Sequence, residues 1–258
     1  MMTQLHSVIE FGKKSITLLI ISFTTACLGN NADPELKSGF VYLSDVDPSI
    51  VINLKYHQNE NFIGTPISGC SRGRAIVTLD AADALRNVQE DLMMHGYSLV
   101  IYDAYHPLKA HEKFNSWLRE QSFDTKDTYY PHLTKTALQE AGYLEAKYDH
   151  VRGSTVDVSI IALKNKLVTP CKQQKRSYKG QKDIIYLNDG TAEMGTSYDT
   201  FDPLSSYSNT AIPEEAQSHR KLLREIMQSH GFAPNEKFWW QFTLIREPYI
   251  DSKFDFDI

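Results

Sequence analysis

Cysteine is scarce: Cys27, Cys70 and Cys171 are all that 258 residues contain. Three thiols cannot build a disulfide scaffold or a four-cysteine metal knot. An excess of positive charge is missing too, with 27 basic against 32 acidic residues and a formal charge of −5. The basic residues are interspersed with acids, so no phosphate-tracking face forms and nucleic acid is excluded as a partner. No internal repeat and no low-complexity linker divides the chain. With 41% hydrophobic residues it reads as one soluble domain with an ordinary core.

The N-terminus has a separate character. Lys13 and Lys14 precede Ser15–Ala26, an uncharged and largely apolar run of twelve residues. This is a basic segment followed by a hydrophobic one, too short to span a bilayer as a mature helix. The run ends at Thr24-Thr25-Ala26-Cys27, which resembles a bacterial lipoprotein processing site, although Thr24 stands where a Leu is usual. The expectation is that residues 1–26 are a signal peptide. The mature chain is then exported to the bacterial periplasm, or held as an outer-membrane lipoprotein whose only membrane contact is a lipid on Cys27; plain signal cleavage is the alternative. Cleavage there removes Lys13, Lys14 and Glu10 and takes the formal charge from −5 to −6. In an oxidising compartment Cys70 and Cys171 either pair or remain free thiols, and spacing does not choose between these.

Periodicity places the elements. Ala82, Leu85, Val88 and Leu92 keep helical spacing, so Leu79–His95 reads as an amphipathic helix stopped by Gly96. Tyr97–Tyr102 reads as the next strand, with His106 just beyond it, and Pro107 suits the first turn of a second helix with Leu108, Phe114 and Leu118 inward. Lys135–Ala141 reads as a short helix closed by Gly142, and a last helix runs from near Pro213 to Gly231 with Ala216, Leu223, Ile226 and Met227 inward. Val156–Leu163 is a strand, the polar stretch Lys164–Gly190 an excursion loop, and Phe238–Ile245 the final strand. Period two puts Phe238, Trp240 and Phe242 on one face of that strand and Trp239, Gln241 and Thr243 on the other. The order argues an α+β fold: one domain over residues 40–258, a mostly antiparallel sheet with helices packed on one side.

The segment Asp149-His150-Val151-Arg152-Gly153-Ser154-Thr155-Val156-Asp157 carries the strongest chemical signal. His150 and Asp157, seven positions apart, bracket an Arg-Gly turn at the start of a strand, and both are zinc-ligand types. A chance pairing is common among nine histidines, and a His beside a strand is more often a satisfied polar residue. A catalytic zinc takes three protein ligands and keeps one position open, so a third ligand has to come from elsewhere in the chain.

The surrounding residues Lys147 to Ile161 resemble the metal-binding motif of the D-alanyl-D-alanine dipeptidases, zinc peptidases that cleave D-Ala-D-Ala. Four further segments resemble the family in the same order. They are Tyr56-His57-Gln58-Asn59-Glu60-Asn61-Phe62-Ile63-Gly64, Tyr102-Asp103-Ala104-Tyr105-His106-Pro107, Glu193-Met194-Gly195-Thr196-Ser197-Tyr198-Asp199 and Phe238-Trp239-Trp240-Gln241-Phe242-Thr243-Leu244. The resemblance implies a zinc-dependent dipeptidase of the cell envelope with one zinc, held by His150, Asp157 and the position of Gln241. Its ligand would be D-Ala-D-Ala or a related small peptide. The family's general base falls on Phe238, its third zinc ligand on Gln241 and its oxyanion-stabilising Arg on His106. Because base and ligand serve one metal from positions three apart, the last strand must be bent at its start.

These departures fall on the chemistry. Phe238 cannot accept a proton, a function usually worth about 10²–10⁴-fold in rate. Gln241 offers zinc a weaker donor than imidazole, and His106 lacks the planar fork of Arg. Glu236 could replace the base and His106 the third ligand only if the backbone brought them to the site. Three readings follow: a zinc dipeptidase, a catalytically inactive homologue that binds a peptidoglycan-derived peptide, and a hydrolase with a rebuilt site. Residue chemistry favours the second over the first for turnover, with weak zinc binding expected.

Overall fold

A computed structural model of the protein describes residues 36–70 and 73–257. Lys13, Lys14, Ser15–Ala26 and Cys27 lie outside these residues, and the export and lipid readings with them. In chain order the first elements are β1 (Phe40–Tyr42), α1 (Leu43–Val46), β2 (Val51–Ile52), β3 (Ile76–Thr78), α2 (Leu79–Met94), β4 (Tyr97–Asp103), α3 (Ala110–Arg119), α4 (Lys126–Tyr129) and α5 (Lys135–Glu140). A 3-10 helix (Glu145–Arg152) leads into β5 (Thr155–Ala162), β6 (Lys172–Arg176), β7 (Ile184–Asn188), α6 (Glu214–Ser229), β8 (Phe232–Pro234) and β9 (Gln241–Leu244).

Helix α2 forms where the apolar spacing puts it. Thr78 caps it by accepting the Ala81 N–H at 3.3 Å, and Ala82, Leu85, Val88 and Leu92 are fully buried. It packs on β4 and against α6, which covers β8. The central sheet has the order β2-β4-β5-β9-β8; β2 runs parallel to β4 and every other pairing is antiparallel. The expected α+β domain with a mostly antiparallel sheet is therefore what the chain forms.

Three local expectations need correction. Helix α3 begins at Ala110 rather than at Pro107, because the Ala110, His111 and Glu112 N–H groups bond to the carbonyls three residues back, a tighter turn than the α-helix; the Leu108 N–H donates to Phe254 O at 3.0 Å and the Lys109 N–H to the Asp255 carboxylate at 2.7 Å. Its buried face is His111, Phe114 and Trp117, with Leu108 and Leu118 half-buried. The stretch Lys164–Gly190 is not an unstructured loop. It contains the antiparallel hairpin β6–β7, hidden from periodicity because Lys172–Lys175 lie exposed and carry no apolar alternation. Finally, β9 starts at Gln241, since 236–240 is turn and the Trp239 N–H donates to Ser205 O at 3.0 Å. Residues 238–242 are all buried, so the simple two-face alternation fails at this end, as the bent start requires.

Cys70 and Cys171 are free thiols. The Cys171 thiol donates to Glu60 Oε2 at 3.0 Å, and Cys70 is buried.

Candidate functional site

Strand register assembles the acids. Asp103 on β4 pairs with Asp157 on β5, and Asp157 with Gln241 on β9. Directly opposed residues project to the same side of a sheet, so these three side chains form a row across three strands. The 3-10 helix supplies the bases. Three residues make one turn in such a helix, so Lys147 and His150 share a face. Gly153 ends it at φ 76°, and a Cβ there would lie 2.3 Å from the Phe40 ring, so glycine is required for the turn into β5.

His150 and Asp157 converge as the motif predicts, with Nε2 3.3 Å from Asp157 Oδ1 and both residues fully buried. The His150 Nδ1–H donates to Ala104 O at 2.8 Å, which turns Nε2 toward the acid. Lys147 was not singled out by the sequence reading, although it stands one 3-10 turn before His150. Its Nζ lies 2.7 Å from Asp157 Oδ2, 3.1 Å from Asp199 Oδ1 and 3.1 Å from the Tyr198 hydroxyl. Tyr198 in turn donates to Asp157 Oδ2 at 2.9 Å, and Tyr56 to Asp199 Oδ2 at 2.8 Å. Asp199 holds φ 58°, a conformation Asp tolerates better than most residues. Asp103, Tyr56, Tyr198 and Asp199 all sit in segments whose pattern was visible, but nothing in the pattern gave them a role.

The electrostatics follow from burial against neighbours. Burial alone would strip the proton from Lys147; Asp157, Asp199 and Asp103 outweigh it and hold the ammonium above its usual pKa. The same contest, burial against Asp103 and Asp157, leaves His150 raised to about 9. Burial pushes Asp199 up to about 6, whereas at Asp157 it is overcome by Lys147 and His150, which hold that carboxyl below the ordinary range.

A pH dependence results. His150 is raised from 6.5 to about 9 on folding, so its stabilisation is complete below pH 6.5 and is lost as pH climbs through 9. We expect stability to fall by about 1–3 kcal/mol across that window. Asp199 acts in a lower window, costing stability as pH rises from 3.8 toward about 6, so the two do not overlap. Urea melts at several pH values between 6.5 and 8 test this, below the range where Cys70 and Cys171, both raised by burial, add a slope of the same sign. The slope should vanish in His150→Gln, and a flat wild-type profile would mean that His150 is neutral in the folded state.

The remaining positions are equally well defined. The Phe238 ring is buried and stacks on Trp240 with centroids 4.8 Å apart, beside Tyr143 and Phe201. The Lys237 N–H donates to Asn235 Oδ1 at 2.9 Å, which makes Asn235 Nδ2 the donor to Gln241 Oε1 at 2.7 Å. Gln241 therefore turns its N–H side toward His150 Nε2, 3.3 Å away. Glu236 cannot serve as base, because its carboxylate lies at the surface and is clamped by Arg224 at 2.6 Å. His106 does come close. Its ring stacks on His150 at 5.1 Å, with Nδ1 3.2 Å from Asp103 Oδ2 and Nε2 3.1 Å from Lys147 O. Burial holds its pKa below the usual value.

Two donor sets could be asked to hold a metal. In the expected set, His150 Nε2 and Asp157 Oδ1 lie 3.3 Å apart. The third corner of that set is the Gln241 amide N–H, a donor with no lone pair to give. These residues do not fit a zinc that requires three protein ligands. The second set is Asp103, His106 and His150, whose ligand atoms lie within 4.8 Å of one another, and this group could hold an ion. Coordination through His150 Nδ1 would forfeit its hydrogen bond to Ala104 O.

Beside this buried cluster lies a narrow cavity of about 20 Å³, lined in part by Lys55, Tyr102, Cys171, Asp189, Tyr198 and Trp239. Tyr198 belongs to both, with its ring on the cavity wall and its hydroxyl on Asp157.

A His–Asp pair on a mixed sheet, beside a narrow cavity, is an arrangement that metallopeptidases use. The family model for D-Ala-D-Ala dipeptidase matches residues 36–171 and 163–258, and the chain belongs to that family. It is 30% identical over 225 residues to a D-alanyl-D-alanine dipeptidase of Enterococcus faecalis, covering 86% of this chain and all of the relative. A D-alanyl-D-alanine dipeptidase of Enterococcus faecium is 28% identical over 224 residues, again 86% of this chain and all of the relative. One from Streptomyces coelicolor is 29% identical over 221 residues, 85% of this chain and 98% of the relative.

Proposed function

We propose that this protein is a cell-envelope member of the dipeptidase family that binds a D-Ala-D-Ala-type peptide without hydrolysing it. The observation that carries the reading is Gln241, whose amide N–H faces His150 where a third ligand would have to stand. Phe238 supports it, since a phenyl ring packed among Tyr143, Phe201 and Trp240 can neither take nor relay a proton. The cavity beside the cluster, about 20 Å³, has room for about one water molecule, so a bound dipeptide requires its walls to part. Export rests on Lys13, Lys14 and the run Ser15–Ala26, with Cys27 as the lipidated first residue of the mature chain. Mass spectrometry of membrane-derived protein checks this part, and an intact Met1 in cytoplasmic protein would overturn it.

The function is tested by calorimetry and hydrolysis side by side. D-Ala-D-Ala should bind more tightly than L-Ala-L-Ala. Turnover with added zinc should lie at least about 10²-fold below that of the Enterococcus faecalis relative, the minimum cost of a missing base. Turnover close to the relative's would defeat the proposal. A rebuilt hydrolase is the second reading, favoured by the approach of His106 to Asp103 and His150. It requires that His106→Ala abolish whatever hydrolysis is seen.

A further inference from the structure

We infer that the Lys147 ammonium is the resident cation of this site, standing in for a metal ion so that the fold closes over its acids without one. The inference deepens the non-hydrolytic reading and rests on it in one respect, the inert third corner at Gln241. Its basis is geometric. Lys147 Nζ bridges two carboxylates on different parts of the chain, Asp157 on β5 at 2.7 Å and Asp199 at 3.1 Å. It accounts for its third donor on the Tyr198 hydroxyl at 3.1 Å and sits over the rings of Tyr56 and Tyr198, 5.0 Å from each centroid. The side chain is 1% exposed and both carboxylates are fully buried, so no solvent cation competes for the place.

Buried acids are tolerated only when a positive charge meets them with good geometry. Asp103, Asp157 and Asp199 are three such acids in one cluster. A metallopeptidase would meet its acids with a divalent ion. Here the 3-10 helix delivers a covalently attached cation on the same face as His150, and it holds the Asp157 oxygen opposite the one that faces the imidazole. A metal brought to His150 and Asp157 would have to approach that fixed positive charge, which opposes it strongly where water is excluded. On this view the inert corner at Gln241 and the ammonium of Lys147 act together to keep a metal out.

The test uses the full mature chain. Wild-type protein should carry substoichiometric zinc by elemental analysis, and its melting temperature should move neither with EDTA nor with added zinc. Lys147→Ala should melt lower than wild type in EDTA and recover little with zinc while Gln241 keeps its amide N–H inward. Gln241→His alone should gain little zinc affinity. The double variant Lys147→Ala/Gln241→His should bind zinc more tightly than the two single effects predict, by about tenfold or more, the scale of coupling between residues in one contact network. Stoichiometric zinc in the wild type, released by Asp157→Asn, would overturn the inference, as would strict additivity of the two substitutions. If Lys147→Ala does not fold, the wild-type metal content and EDTA melt still decide. Metal-free hydrolysis of D-Ala-D-Ala by the wild type would defeat the non-hydrolytic reading while leaving the Lys147 assignment standing. Stoichiometric zinc in a protein that hydrolyses nothing would do the reverse.

Discussion

Arg220→Met will lower folding stability by about 3–5 kcal/mol, the cost of breaking a buried, fully bonded charge arrangement. Arg220 sits in the middle of α6, is 2% exposed, and spends its guanidinium on backbone carbonyls rather than on an acid. Its Nε donates to Met194 O at 2.7 Å, one terminal nitrogen to Ser206 O at 2.8 Å and the other to Leu204 O at 3.0 Å. Burial pulls its pKa down to about 9, still charged at neutral pH. Methionine fills much of the volume but donates nothing, and each carbonyl left buried without a partner costs about 1–3 kcal/mol. The substitution should also reach the site, because residues 194–206 carry Tyr198 and Asp199, the partners of Lys147. Urea denaturation of Arg220→Met against wild type measures the first effect. A loss below about 1 kcal/mol would mean that water or other donors replace the guanidinium.

Arg220 also shows where reading the sequence runs out. The inward stripe Ala216, Leu223, Ile226 and Met227 of α6 was legible because apolar residues at helical spacing have one physical use. Arg220 lies on that stripe, but periodicity scores a charge as outward, and only the carbonyls of a distant loop explain it. The site divides in the same way. His150 and Asp157 were legible because ligand types flank a turn that leads into a strand. Lys147 was not, since the residue three before a histidine means nothing until the segment is known to wind with three residues per turn. Asp103 needed the cross-strand register with Asp157. The fate of Gln241 needed Asn235, six residues earlier, to fix which side of its amide faces inward. Tertiary hydrogen bonds of this kind leave no periodic trace. The hairpin β6–β7 escaped for a different reason, exposed polar residues without apolar alternation.

Catalysis should return only when four positions change together: Gln241→His, Phe238→Glu, His106→Arg and Lys147→Ala. Three of these are the positions where the resemblance puts the family's ligand, base and oxyanion donor; the structure adds the fourth, because the ammonium on Asp157 and Asp199 opposes the ion a new histidine would help to hold. Each single change should recover almost nothing. Phe238→Glu alone buries a carboxylate in an aromatic stack with no cation beside it, which destabilises the fold before it can serve as a base. His106→Arg alone places a larger cation in a sealed position against Asp103 and Lys147 O. Groups that act on one transition state are non-additive, so the last substitution added should carry most of the gain, whichever it is. With all four present and zinc supplied, D-Ala-D-Ala hydrolysis should exceed wild type by about 10³-fold or more, combining a general base with an oxyanion donor. Circular dichroism must first show that the fourfold variant is folded. The decisive comparison is wild type with zinc at the same concentration. Equal rates would mean that another group already serves as base. Glu236 is not that group, since it is held at the surface by Arg224, so the next candidate is Asp103, already in the acid row beside Asp157.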